Sequence, residues 1–347
     1  MGPFPHLLYF NAGDILRMFA FIHFFGLSSA FLAFLFLINN FLIFVVDAPG
    51  VINLLGLNDL LGTEAPKDGY SAGLFALGIL QLSVVVGAIV YAAWRVMKSN
   101  GMREDAVMLD NASSYFVRLA FWAVFMIGIF DAFLSFLRVE GLHDNLFGTD
   151  LASLIALPSG RGIYFHLPLF FLAALIALRD RTVSLIWLSL LVVMAEFLIV
   201  VLRFIYGYEQ TFMGDLVRFW YAALFLFASA YTLKEDAHVR VDVIYAGLRH
   251  KTKCILNSTG CFFFGIPLCW LIIVRGLWGK SSLINSPMLN FETSMSGFGM
   301  YIKYLMAAFL LVFALSMLLQ FTSYLFNSLA DLTEASSEED SPKEVTA

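Results

Sequence analysis

Charge is what this chain has least of. Only 14% of its 347 residues are Asp, Glu, Lys or Arg, whereas soluble domains carry roughly a quarter. The shortfall excludes an ordinary soluble globular domain. Basic residues number 21 against 26 acidic ones, and they form no concentrated footprint, so nucleic acid is excluded as a partner. Cysteine is also scarce. Cys254, Cys261 and Cys269 all fall in one apolar stretch. Along one helix they cannot bridge each other, and they read as small apolar side chains of a helix interior. There is no Gly-rich phosphate loop, Walker motif or nucleophile elbow. Nothing calls for a catalytic centre or a cofactor.

What the chain has in abundance is apolar length. It is 60% hydrophobic and 16% aromatic, with 37 Phe and a mean hydropathy of +0.83. Runs of about 20 apolar residues suit helices that cross the hydrocarbon core. The fold class expected is an all-α integral membrane protein of about eight transmembrane helices. The first apolar run is too long for a secretory signal, and neither a basic leader nor a small-residue cleavage site accompanies it.

The expected spans are 15–46, 73–97, 115–137, 163–178, 182–206, 216–233, 254–278 and 301–329. The fourth is the shortest and contains Pro168, which a membrane helix tolerates where neighbours satisfy the freed carbonyl. Gly26 to Ala30 places small residues four apart, a spacing that lets another helix come close. Within the acidic loop 47–71, residues 51–61 read as a short interfacial helix. The segments 98–112 and 138–150 are expected to be loops, and the acidic tail from Thr333 to be disordered.

Positive-inside counting orients this layout. With the amino terminus inside, the inner segments hold Arg17, Arg95, Lys98, Arg103, Arg179, Arg181, Lys234, Arg240, Arg249, Lys251, Lys253 and Lys343. The outer loops hold only Lys67, Arg138, Arg161 and Lys280. Eight crossings with both termini cytoplasmic follow.

Ionisable groups inside spans are costly and therefore mark candidate sites. Glu196 lies deep in the fifth span, and Arg203 shares its face near the helix end. Asp215 and Arg218 open the sixth span, where an acid complements the helix dipole. Asp131 is placed to pair with Arg138 farther along its own helix. Lys303 flanks the last outer loop with Arg275. His23 and His166 are the two histidines within spans, the minimum for an axial haem pair.

The most distinctive stretch is Leu202 to Tyr245. It joins Leu202-Arg203-Phe204, a short turn, a helix opened by Asp215 and Arg218, and the alternating run His238-Val239-Arg240-Val241-Asp242-Val243. The segment from Ala230 to Tyr245, together with Leu202-Arg203-Phe204, Asp215, Arg218, Lys303 and Leu318-Leu319-Gln320, resembles the small, DctQ-like membrane subunit of the tripartite ATP-independent periplasmic (TRAP) transporters. Two departures are local: a Met213-Gly214-Asp215 opening in place of paired acids and Trp, and no Pro before the last span. The resemblance covers about residues 186–332.

It implies a four-helix small-permease domain at 182–332, preceded by an extension of about four transmembrane helices at 1–181 and followed by the tail 333–347. It further implies ion-gradient-driven uptake of a small solute, an organic acid for preference, across a bacterial or archaeal inner membrane. The implied partners are a large permease subunit, a periplasmic solute-binding protein and membrane lipids. The interface candidates are Glu196, Arg203, Asp215, Arg218, His238, Arg240, Asp242, Lys303 and Gln320. The alternatives from the residues themselves are a stand-alone ion-coupled carrier with Glu196 as relay, or a haem-binding redox anchor using His23 and His166.

Overall fold

A computed structural model describes residues 12–54, 71–98, 101–180, 185–208, 210–234, 245–294 and 299–339. Among these the chain is helical, with no strand. Helices α1 (Ala12–Phe44), α2 (Val51–Leu54), α3 (Ala72–Met97), α4 (Met102–Val139) and α5 (His143–Ala156) come first. Then follow α6 (Pro158–Arg179), α7 (Leu185–Ile205), α8 (Met213–Lys234), α9 (His250–Leu277), α10 (Asn285–Leu289) and α11 (Lys303–Glu339). Among the described residues eight helices are long and apolar enough to span a membrane: α1, α3, α4, α6, α7, α8, α9 and α11. The eight expected spans are therefore present.

Proline shapes two of them in the same way. Helix α6 consists of an α-helical turn at Pro158–Arg161, a π turn at Gly162–His166 and an α-helix at Leu167–Arg179. Pro168 has no N–H to offer the preceding turn, and its ring presses against it. The wider π turn just before it makes room. Helix α9 repeats the device, with a π turn at Cys261–Gly265 ahead of Pro267. The short fourth span is thus a full-length helix that absorbs its proline.

Three expectations are corrected. The segment 98–112 is not a loop throughout, because α4 begins at Met102. The acidic tail stays helical to Glu339. One guanidinium accounts for both. Arg103 Nε and Nη2 donate to the two Glu334 oxygens at 2.9 and 2.7 Å, and Nη2 also donates to Asp331 Oδ1 at 2.7 Å. The first turn of α4 and the end of α11 therefore hold each other in helix. The third correction is 138–150, most of which lies in α5. There the ring of His143 bonds the Leu134 carbonyl at 2.9 Å, and Ala152 and Ile155 are buried. Of the expected interfacial helix, only Val51–Leu54 lies within the described residues, and those are helical.

The chain divides into two compact units, one of residues 1–110, 239–268 and 318–347, the other of 111–238 and 269–317. In the first, α1 lies along α3. Polar side chains join them: Gln81 donates to Asn39 Oδ1 at 2.7 Å, and the Val51 N–H donates to the same oxygen at 3.1 Å. Gly26 of α1 faces α11, where an added Cβ would lie 2.7 Å from the Phe326 ring and 3.0 Å from Thr322. The small-residue stripe beginning at Gly26 thus does admit a neighbouring helix. In the second unit, Gly128 of α4 receives Trp220 of α8, whose Nε1 would stand 2.6 Å from a Cβ. Phe219 and Phe227 of α8 close on Phe309 of α11, with ring centroids 5.0 and 5.1 Å apart.

These approaches generate a stability prediction. Gly26→Ala places a methyl group against the fully buried Phe326 ring and should cost about 1–3 kcal/mol. Thermal unfolding of the detergent-solubilised chain reports this as a lowered midpoint. Gly87→Ala, where a Cβ meets nothing within 4 Å, should leave the midpoint unchanged.

Candidate functional site

The densest ionisable cluster in the second unit centres on Asp131 of α4. Asp131, Ser135 and Arg161 have 0% of their surface exposed, and His166 has 2%. A carboxylate taken this far from water must be met by donors, and three meet it. Arg161 Nη1 donates to Oδ1 at 2.9 Å, and His166 Nε2 lies 3.3 Å from the same oxygen. The Tyr301 backbone N–H donates to Oδ2 at 2.9 Å. Arg161 is further held by Ser135 Oγ at 3.1 Å and by the Ile155 carbonyl at 2.8 Å.

The His166 ring links this carboxylate to a tyrosine. Its Nδ1 lies 2.7 Å from the Tyr304 hydroxyl. An ionised carboxylate only accepts, so Nε2 carries the proton toward Asp131. In the neutral ring Nδ1 then accepts from the Tyr304 hydroxyl. The result is a closed chain of carboxylate, imidazole and phenol.

The expected pairing of Asp131 with Arg138 does not form. Seven residues along one helix are about 10.5 Å of rise, too far for direct contact, and Arg161 arrives from α6 instead. Arg138 donates to the Gly299 carbonyl at 2.5 Å. Both guanidiniums lie by the Tyr301 ring, at 4.5 Å for Arg138 and 4.4 Å for Arg161. Among the described residues, Arg138 Nε and Arg161 Nη2 are buried without a hydrogen-bond partner. Attraction to the ring face stabilises these cations where hydrogen bonds do not.

These contacts converge on the strap that leads into α11. Asp215 Oδ2 accepts from the Met300 N–H at 3.1 Å. Glu292 binds Lys303 Nζ at 2.5 Å, and its carbonyl accepts from the Tyr304 N–H at 3.0 Å. Residues 299–304 are therefore stitched down by side chains of α4, α6 and α8. Outside the spans, Tyr208 donates to Glu140, and that carboxylate raises the phenol above its ordinary pKa.

The first unit contains a second buried carboxylate. Asp105, 0% exposed, binds His23 Nε2 at 2.8 Å and Arg95 Nε at 2.5 Å. His166 thus has both ring nitrogens engaged and His23 has its Nε2 engaged.

Of the residues singled out in the sequence, Asp215 and Lys303 meet at the strap. Arg218 is exposed and sits 3.5 Å from Asp215 Oδ1. Glu196 and Arg203 are exposed on α7, and Gln320 is buried on α11. His238, Arg240 and Asp242 lie outside the described residues. Sequence reading missed Arg161, counted as a charge of an outer loop, and Tyr304. The signal lay in spacing: an Arg followed five residues later by a His, facing an Asp within an apolar run.

The network yields a double-mutant prediction. Asp131→Asn leaves Arg161 buried without its counter-charge and should cost about 3–5 kcal/mol. Asp131→Asn combined with Arg161→Met should cost clearly less than the two single changes added together. Denaturant unfolding of all four proteins measures the coupling.

Residues 190–330 match the family model of the tripartite ATP-independent periplasmic transporters, DctQ component. No curated protein and no solved structure shows detectable similarity to the chain. The matched stretch takes in most of α7, all of α8, α9 and α10, and most of α11. DctQ is a membrane permease family and a transporter component. Over residues 190–330 the chain is therefore similar to the DctQ small permease of the TRAP transporters, and its eight long apolar helices accord with a multi-pass inner-membrane protein.

Proposed function

We propose that this chain is the membrane scaffold of a TRAP transporter. It seats a large permease subunit that carries the solute and ion sites, while a periplasmic binding protein delivers a small organic acid for ion-gradient-driven uptake. Both termini face the cytoplasm, in keeping with the bias of basic residues. Residues 182–332 act as the small-permease domain, 1–181 extend it, and the tail 333–347 follows.

The observation that carries this reading is the outer face of α7. Trp187, Val193, Met194, Phe197 and Val200 are exposed there, and Glu196 stands among them. Among the described residues no hydrogen bond or ion pair reaches Glu196. A carboxylate midway along a spanning helix is costly against lipid, so this face suits a protein partner that supplies a donor. Arg203 on the same helix extends the surface, Asp215 and Arg218 follow it in sequence, and Lys303 joins them through the strap. His238, Arg240 and Asp242 are proposed as contacts with the large permease from their place in the family motif alone. Gln320, being buried, supports α11 from within.

Co-purification tests this. The tagged chain should bring down a large multi-span permease from its native membrane. Glu196→Lys should reduce recovery at least about tenfold, in line with the 2–5 kcal/mol lost when one member of a buried charge pair is removed. Equal recovery with both proteins would contradict the assignment of this face.

A further inference from the structure

We propose that His250, Cys254 and Asp331 form a binding site for a zinc ion that clamps the start of α9 to the end of α11. Each residue offers one ligand atom, and these atoms all lie within 4.8 Å of one another. His250 and Cys254 are four apart, which sets both side chains on one face of α9. Asp331 comes from α11, and all three belong to the same compact unit.

The spacing of the His250 and Cys254 ligand atoms matches an edge of a tetrahedral centre. Zinc–sulfur and zinc–nitrogen bonds of about 2.3 and 2.0–2.1 Å, opened to a tetrahedral angle, separate the two ligand atoms by about 3.6 Å. Cys254 Sγ lies 3.6 Å from His250 Nδ1. A thiolate with an imidazole and a carboxylate is a donor set that favours zinc over calcium or magnesium, which take oxygen ligands. The carboxylate is also oriented from outside the site, because Arg103 Nη2 donates to Asp331 Oδ1 at 2.7 Å. Hydrogen-bonded support of this kind is usual for metal-bound carboxylates.

Access and charge agree with the assignment. His250 is exposed while Cys254 is buried, so an ion from the aqueous side reaches the imidazole first and the thiol behind it. Three protein ligands leave a fourth position for water. Lys253, next to Cys254 in sequence, is turned elsewhere: its Nζ donates to the Ala246 carbonyl at 3.2 Å and lies 5.3 Å from the Tyr245 ring centroid. The site does not depend on the transport role, and it concerns different residues from those on α7.

Metal titration of the full-length, tag-free chain in detergent decides the matter. After chelation, the chain should take up one cobalt ion. The spectrum should show both the visible bands of tetrahedral cobalt and a thiolate-to-cobalt charge-transfer band, and zinc should displace them. Cys254→Ser should abolish the charge-transfer band. His250→Gln, a change at an exposed position, and Asp331→Asn should each weaken cobalt binding at least about tenfold. Because His250→Gln leaves the interior untouched, its result stands even if Cys254→Ser folds poorly. The proposal is overturned if no cobalt or zinc binds, if a bound cobalt lacks the charge-transfer band, or if binding is unchanged in the His250 and Asp331 variants.

Discussion

The second unit depends on one buried carboxylate. Asp131 has no exposed surface, and in that setting its charge persists only if donors surround it. They come from separate parts of the chain: Arg161 and His166 from α6, and the Tyr301 N–H from the strap before α11. Through His166 the connection reaches Tyr304 on α11 itself. A single side chain thus dictates where α4, α6 and α11 meet. The strap has further fastenings in Arg138 at Gly299 and Asp215 at Met300. Asp131, Arg138, Arg161 and His166 precede the DctQ match at 190–330, while the strap lies inside it. Side chains ahead of residue 190 thus hold the lead into α11 within the second unit.

Asp105 applies the same chemistry in the first unit, with Arg95 and His23 as its partners. Here the carboxylate joins α4 to α3 and α1. Both buried acids belong to α4, one near each end of that helix. In lipid, where apolar surface gives helices little reason to choose one neighbour over another, hydrogen-bonded polar groups and close approach at small residues provide the selectivity. The contacts of Gly26 with Phe326 and of Gly128 with Trp220 supply the second of these.

The spans were legible because hydropathy and length report directly on what a membrane requires. The proline-bearing fourth span was legible as a crossing from charge counting, and its π turn explains how the proline fits. Polar segments were harder. Helix α4 begins well before its apolar run, and α11 continues past its own, because Arg103 joins them across more than two hundred residues of sequence. No local pattern encodes such a pair. Arg161 looked like a loop charge because it directly precedes an apolar run, yet it is among the most deeply buried side chains. Asp131 was recognised as notable, but its partner was sought on its own helix rather than across the bundle. The resemblance to the family was legible despite its two local departures, although the run from His238 to Asp242 lies outside the described residues.

An exposed α7 that bears Glu196, the fastened strap of the second unit and the DctQ match support the proposed scaffold role. The most direct test is solute uptake in proteoliposomes under an ion gradient. The scaffold role predicts uptake only when this chain, the large permease and the binding protein are all present, and none from this chain alone. Uptake by this chain alone, abolished by Glu196→Gln, would contradict it and make Glu196 a relay rather than a contact.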